Sequence, residues 1–214
     1  MKMKVLTEEQ INANLKSFYE YIDTYISEPR ASELHAFYKS IELTLATSPA
    51  SAKITRHNCF AGGYLDHVLR VTQAAIVYHR VWEKYGQSQD YTMEELVFSA
   101  INHDLGKLGT NEEPFYLPND IQWQLDKGTY YKYNSKLPHM RIADRSLFYL
   151  QQAGLYVTAN EFLAIKLHDG LYEEGNKDYY ITYNEDFEIK SNLPYILHQA
   201  DLMASRVETQ TQKQ

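Results

Sequence analysis

The chain has 214 residues, and 21 basic against 28 acidic side chains give it a formal net charge of −7. This length allows one large domain with a sizeable core, and the acidic balance argues against broad binding to duplex nucleic acid, which requires a basic face. The single cysteine, Cys59, excludes an internal disulfide and favours a reducing, cytoplasmic compartment. Neither an N-terminal signal core nor an apolar run of roughly 18 residues is present, so we expect no export and no membrane insertion.

Two helices are predicted at the start of the chain. Thr7 and Gln10 have the spacing of a capping box, which predicts a helix of about 20 residues that ends near Pro29. Ser32 opens a second helix, which we expect to end before Pro49 because proline disfavours a helical residue in front of it.

A longer helix is predicted within AGGYLDHVLRVTQAAIVYHRVWEKYG, residues 61–86. It starts after two glycines and ends at Gly86, a common C-terminal stop. Because its middle is apolar on nearly all sides, we expect it to be central in the fold. Thr92 and Glu95 form another capping box, which predicts a helix that leads into INHDLGKLG.

The segment 110–138 differs from the rest of the chain. It contains many aromatic residues, a Lys-Gly turn signal and little helical periodicity. This pattern predicts a β-hairpin around 120–134 or a long ordered loop. Farther along, KDYYITYN is expected to form either a short strand or part of a loop.

Three more helices complete the predicted set. Two of them cover about 141–153 and 159–169, and each is closed by a glycine. The last helix lies in LPYILHQADLMASRV, and the polar tail ETQTQKQ is expected to be frayed. Because we find no internal repeat and no linker, we predict one all-α domain over residues 1–214, with a small hairpin.

Ionisable residues interrupt the apolar faces of the predicted helices. Asp104 continues the apolar face of its helix, Asp201 lies among alanine and leucine residues, and His67 is embedded in apolar neighbours. His168 follows the apolar run FLAIKL. A buried carboxylate is costly unless it is paired, and a metal ion both neutralises carboxylates and binds imidazole nitrogen. The sequence therefore predicts a metal site.

The order of these residues resembles the HD superfamily of metal-dependent phosphohydrolases, whose hallmark is a His, a His-Asp pair and a distant Asp on helices. GGYLDHV is similar to the helix that brings the first histidine, NHDLGKLG to the His-Asp doublet, and HQADLMAS to the closing segment. The resemblance covers about residues 57–205 and leaves helices at 7–48 outside the metal-binding core. It implies an HD-type helical bundle.

The resemblance also implies a set of metal ligands, which are His67, His103, Asp104, His139, His168 and Asp201. In members of the family with two metals, histidines placed like His139 and His168 complete a second site that shares Asp104. A member with one metal would need neither of them, and both alternatives stay open. Histidine-rich sites favour Mn, Fe, Co, Ni or Zn over Mg alone.

The activity that the resemblance implies is hydrolysis of a phosphate ester, in a nucleotide or related small molecule, by a metal-activated hydroxide. Asp104 and Lys107 are then the catalytic residues, and Lys107 also neutralises phosphate charge in the bound substrate. Arg145 is a second candidate for a phosphate contact. His57 is a candidate outer ligand or substrate contact.

Two other functions remain open at this point. Some HD-fold proteins use the same ligand pattern to hold two irons and cleave a C–C or C–P bond with dioxygen. A binding module that kept the fold without turnover is the third reading, although a complete ligand set argues against it.

Overall fold

Helices dominate the computed structural model of the chain, which describes residues 5–87 and 90–211. The helices are α1 (Glu8–Tyr25), α2 (Arg30–Ser40), α3 (Glu42–Thr47), α4 (Gly63–Lys84), α5 (Met93–Asn102), α6 (Gln122–Asp126), α7 (Ile142–Gln152), α8 (Ala159–Leu167), α9 (Lys177–Tyr180) and α10 (Leu193–Thr211). Within the described ranges, the only sheet pairs β1 (Tyr116–Pro118) antiparallel to β2 (Tyr131–Tyr133). The prediction of a mostly helical chain with a small hairpin is confirmed at this level.

The long helix α4 lies at the centre of the fold, as its apolar sequence predicted. It packs against α10 and α5, and α8 packs against both of these helices. Its start depends on two glycines. Gly62 has a left-handed φ of 80°, and a side chain on Gly63 would place its Cβ 2.2 Å from the carbonyl oxygen of Asn58. The segment that contains His57 is therefore held directly against the first turn of α4.

Helix starts follow the capping signals closely. Both predicted capping boxes form, at Thr7 with Gln10 and at Thr92 with Glu95. A third one, at Thr158 with Glu161, begins α8. Each box satisfies two backbone N–H groups that the first helical turn leaves without partners.

The predicted second helix is wrong in one respect, because the chain breaks it into α2 and α3 at Ile41. The backbone leaves helical geometry there, with φ −119° and ψ 21°, and the Ile41 side chain enters the core. Core burial outweighs the continuous helix that the sequence favours locally.

Three further predictions need correction. In the stretch KDYYITYN, Lys177–Tyr180 form the short helix α9, and the last four residues are irregular and form no strand. The Tyr180 hydroxyl donates a hydrogen bond to the carbonyl oxygen of Leu167 at 3.0 Å. The β pairing starts before residue 120, and α6 lies between its strands. The tail does not fray at its start, because α10 continues to Thr211 and buries Glu208. Residues 212–214 lie outside the described residues.

In the described part of the chain, none of the helices combines the length and the apolar character that crossing a membrane requires.

A buried ion pair fixes the start of α8. Arg30 donates two hydrogen bonds to the carboxylate of Glu161, at 2.8 and 2.6 Å, and a third to the carbonyl oxygen of Tyr156 at 2.8 Å. The Glu161 side chain is fully buried, and the Arg30 guanidinium lies over the ring of Phe98. This pair connects α2, α5 and α8, and so helps to position the opposite end of α8, where His168 lies.

We expect Arg30→Met to lower the free energy of unfolding by about 3–5 kcal/mol, because it leaves a buried carboxylate without its cation. Chemical denaturation followed by circular dichroism measures the change. The matched control is Lys16→Met, which removes an exposed pair with Glu20 and should cost less than about 1 kcal/mol. Equal losses in the two variants would contradict a stabilising role for the buried pair.

Candidate metal centre

Four helices bring ionisable side chains to one point inside the fold. His67 comes from α4, His103 and Asp104 directly follow α5, and His168 directly follows α8. Asp201 comes from α10. Because α4 packs on α5 and α10, and α8 packs on both of these, their facing residues meet.

The first group of potential ligands consists of His67, His103 and Asp104, whose ligand atoms all lie within 4.8 Å of one another. Asp104 Oδ2 is 3.6 Å from His67 Nε2 and 3.5 Å from His103 Nε2. Asp201 Oδ1 adjoins the same nitrogens, at 3.1 and 4.0 Å. Both histidines are fully buried. The geometry therefore surrounds one small volume with two imidazole nitrogens and two carboxylates.

The second group consists of His168, Asp169 and Asp201, whose ligand atoms also lie within 4.8 Å of one another. His168 Nε2 is 3.6 Å from Asp169 Oδ2 and 3.5 Å from Asp104 Oδ1. The two oxygens of Asp104 thus face different groups, since Oδ2 faces the first group and Oδ1 faces the second.

Hydrogen bonds on the far side of each ring fix which nitrogen faces the centre. The Nδ1 atom of His103 lies 2.7 Å from the carbonyl oxygen of Ala100, and that of His168 lies 2.8 Å from the carbonyl oxygen of Ile165. A carbonyl oxygen only accepts, so Nδ1 carries the hydrogen in both rings. In the neutral rings, the lone pair of Nε2 then points at the carboxylates, as metal binding requires.

At His67, the partner of the Nδ1 atom is a carboxylate and not a backbone carbonyl oxygen. Its Nδ1 lies 3.0 Å from Oε2 of Glu208, and Glu208 Oε1 accepts a hydrogen bond from Arg70 Nε at 3.0 Å. Glu208 is only 3% exposed. A carboxylate behind a histidine ligand orients the ring and raises its basicity.

Buried nitrogens without hydrogen-bond partners mark the centre. The Nε2 atoms of His57, His67 and His103 have none, although Asp201 Oδ1 lies 3.1 Å from that of His67. The His57 ring lies next to that of His67, with ring centroids 4.7 Å apart. Unpaired imidazole nitrogens beside carboxylate oxygens are the donor set of a divalent transition metal. These residues therefore fit a metal ion.

The electrostatics of the centre point the same way. Burial lowers the pKa of His67, but the carboxylates of Glu208 and Asp201 outweigh burial and raise it to about 10. At His103 burial dominates and lowers the pKa to about 4. The carboxylates thus attract positive charge to the centre, whereas His103 stays neutral and keeps its lone pair at neutral pH.

Lys107 forms an ion pair with the doublet. Its Nζ lies 2.5 Å from Asp104 Oδ2, and its side chain is 14% exposed. Burial opposes the charge on Lys107, but Asp104 outweighs burial and raises the pKa of the ammonium. Lys107 is therefore a cation at neutral pH, beside the first group.

The glycine between the doublet and Lys107 allows close packing on α7. A side chain on Gly106 would place its Cβ 2.3 Å from the carbonyl oxygen of Ile142. The Ser146 hydroxyl accepts a hydrogen bond from the Gly106 N–H at 2.8 Å and donates to the carbonyl oxygen of His103 at 3.0 Å. Helix α7 thus packs closely against the turn that contains His103 and Asp104 and is hydrogen-bonded to it.

Two predicted site residues have other surroundings. His139 is exposed, lies in the segment before α7, and belongs to neither group. Arg145 is buried, donates a hydrogen bond to the carbonyl oxygen of Pro138 at 2.6 Å, and places its guanidinium over the ring of Phe115. Arg145 therefore holds the segment before α7, and its described contacts do not place it at the centre.

Sequence reasoning missed two residues of the centre. Asp169 belongs to a second His-Asp doublet, and this repetition was the available signal. Glu208 follows Asp201 by seven residues, which places both on one face of a helix. That signal was hidden because the polar tail was expected to fray.

Comparisons of the chain with models of known protein families, with curated protein sequences and with solved structures give no match.

We expect Glu208→Gln to weaken metal binding by about 10–100-fold, because the amide no longer supplies a negative charge behind His67. Titration of metal-depleted protein with Zn²⁺ or Mn²⁺, followed by calorimetry, measures the affinity. Glu188→Gln is the control, because Glu188 is exposed. Unchanged affinity in Glu208→Gln, with unchanged folding, would show that Glu208 does not support a metal ligand.

Proposed function

We propose that the chain is an HD-type, metal-dependent phosphohydrolase that cleaves a phosphate ester in a nucleotide or related small molecule. The observation that supports this most is the first group, in which buried His67 and His103 direct unpartnered Nε2 atoms at the Asp104 carboxylate. Apolar helix faces rarely contain such a set without a ligand, because unpaired buried polar atoms are costly.

In this proposal, His67, His103, Asp104 and Asp201 hold a divalent ion, with Mn, Fe, Co, Ni or Zn as the candidates. When bound, such an ion lowers the pKa of coordinated water and neutralises phosphate charge. The protein supplies the orientation, since hydrogen bonds to backbone carbonyls and to Glu208 keep the imidazole rings in place.

Lys107 contributes a fixed positive charge. Phosphoryl transfer depends mainly on positioning and on neutralisation of the charged oxygens. Lys107 lies beside Asp104 and keeps its proton at neutral pH. It would bind a phosphate oxygen of a substrate that enters the centre. His57 would be a second contact, because its Nε2 is buried and free next to His67.

Exposure indicates where a substrate would enter. His67 and His103 are fully buried, whereas the side chains of Asp201 and Asp169 are 17% and 48% exposed. The centre is therefore most open beside Asp169. Two exposed residues follow there, Leu171 and Tyr172, with 57% and 74% exposure. Such a surface suits an apolar or aromatic part of the substrate, such as a nucleobase.

Measurements on purified protein separate this proposal from its alternatives. The metal content is determined by elemental analysis, and mono-, di- and triphosphate nucleotides and cyclic dinucleotides are screened as substrates. Release of phosphate or nucleotide without oxygen uptake supports the hydrolase. Oxygen uptake with bound iron would instead indicate the dioxygen chemistry of related folds, and bound metal without turnover on any phosphate ester would favour a binding module.

We expect Asp104→Asn to lose bound metal and activity together, because it removes the carboxylate that faces both groups. Elemental analysis of the folded variant, checked by circular dichroism, tests this. A variant that retained full metal stoichiometry would contradict the assignment of Asp104 as a ligand.

We expect Lys107→Ala to retain its metal but to lower kcat by about 10²-fold or more, since one positioned charge contact to the reacting oxyanion is lost. Steady-state kinetics with the best substrate of the screen measure the effect. Lys127→Ala is the control, because Lys127 is exposed. An unchanged rate in Lys107→Ala, or loss of its metal, would remove Lys107 from the phosphate role.

A further inference from the structure

The second His-Asp doublet, at the end of α8, has a contact pattern that parallels the first. His168 Nε2 lies 3.6 Å from Asp169 Oδ2, and both residues form a compact group with Asp201. We propose that Asp169, together with His168 and Asp201, ligates a second divalent cation, which lies beside the first and exchanges more readily. This inference rests on the proposed metal-dependent function and names a ligand that the family pattern does not supply.

The backbone after α8 brings two adjacent side chains to one pocket. Here the helix ends at Leu167, and a 3-10 turn begins at Gly170. The Nε2 atom of His168 and the Oδ2 atom of Asp169 lie 3.6 Å apart there, so both side chains reach the same group.

Contacts with His198 and Asn176 hold this turn. His198 Nδ1 donates a hydrogen bond to the carbonyl oxygen of His168 at 2.7 Å. Gly170 has a left-handed φ of 56°, and a Cβ at this position would lie 2.3 Å from the His198 ring. The Asn176 amide donates to the carbonyl oxygen of Gly170 at 3.0 Å. The doublet is therefore presented by a fixed backbone and not by a free loop.

Negative charge at the second group requires a cation. The ligand atoms of His168, Asp169 and Asp201 all lie within 4.8 Å of one another. The carboxylate of Asp104 is also close, with Oδ1 3.5 Å from His168 Nε2. Lys107 contacts the opposite oxygen of Asp104, Oδ2, and so leaves Oδ1 to the second group. A divalent ion held by His168, Asp169 and Asp201 would neutralise these carboxylates, and Asp104 Oδ1 would lie beside it.

The composition of the second group indicates which ion it would take. It offers one imidazole nitrogen and several carboxylate oxygens, whereas the first group offers two buried imidazoles. Oxygen-rich sets favour harder ions such as Mn²⁺ or Mg²⁺. Because the Asp169 side chain is 48% exposed, the second ion would also leave more easily than an ion held by His67 and His103.

The test counts ions in reconstituted protein. Chelator-treated protein is loaded with Mn²⁺, and the bound ions are counted by elemental analysis and by equilibrium dialysis. Electron paramagnetic resonance reports whether two Mn²⁺ ions are magnetically coupled. The wild type is expected to bind two ions with a coupled signal. Asp169→Asn is expected to bind one ion without coupling, and thermal melting verifies that the variant is folded.

Two controls make the result specific. Asp178→Asn removes an exposed carboxylate close in sequence, and His139→Gln removes the histidine that the family pattern would favour; both should still bind two coupled ions. Two coupled ions in Asp169→Asn, or one ion in His139→Gln, would overturn the assignment of Asp169. One ion in both wild type and Asp169→Asn would also overturn it but would leave the metal-dependent function standing. A wild type that binds no ion would overturn both.

Discussion

Burial of the Asp104 carboxylate is the constraint on which the rest of the centre depends. An ionised carboxylate inside an apolar core is tolerated only when cations and hydrogen bonds compensate for lost hydration. Asp104 is 2% exposed, and Lys107 and His103 hold its pKa well below the usual range against the effect of burial. The packing of α4, α5, α8 and α10 brings the further imidazoles to the same carboxylate. The polar centre and the helical core therefore depend on each other, because the helix faces that pack the core also position the candidate ligands.

The same histidine arrangement occurs at the ends of two helices, α5 and α8. His103 and His168 are each the first residue after a helix, and each directs Nδ1 to the carbonyl oxygen three residues earlier. Carbonyl groups of the last turn lack partners within a helix, so the ring satisfies one of them and gains a fixed orientation. Each of the two helices thus provides both a candidate metal ligand and the backbone carbonyl that orients its ring. The third histidine, His67, lies within α4 and takes its support from Glu208 instead.

The sequence was most informative where periodicity carried the signal. His67, Asp104 and Asp201 interrupt apolar helix faces, so spacing alone indicated that they face the core, and the structure brings them together. No comparable rule places a loop residue such as His139, which the family resemblance alone put among the candidate ligands and which is exposed in the structure. Asp169 was missed because neighbouring residues on a helix point about 100° apart, so the sequence spacing alone did not group it with His168. The break at Ile41 has the same origin, since no glycine or proline marks it and tertiary packing decides.

The contact between His67 and Glu208 has a consequence for the order in which the protein matures. These two residues are separated by 141 positions in the chain, and Asp201 lies in the same helix as Glu208, α10. During synthesis, His67 and the first doublet leave the ribosome long before α10 does, and domains fold as their parts emerge. A nascent chain can therefore assemble α4 and α5 before α10 brings Asp201 and Glu208 to the centre. Asp201 and Glu208 are then the last of these residues to reach the centre, when α10 packs onto α4 and α8.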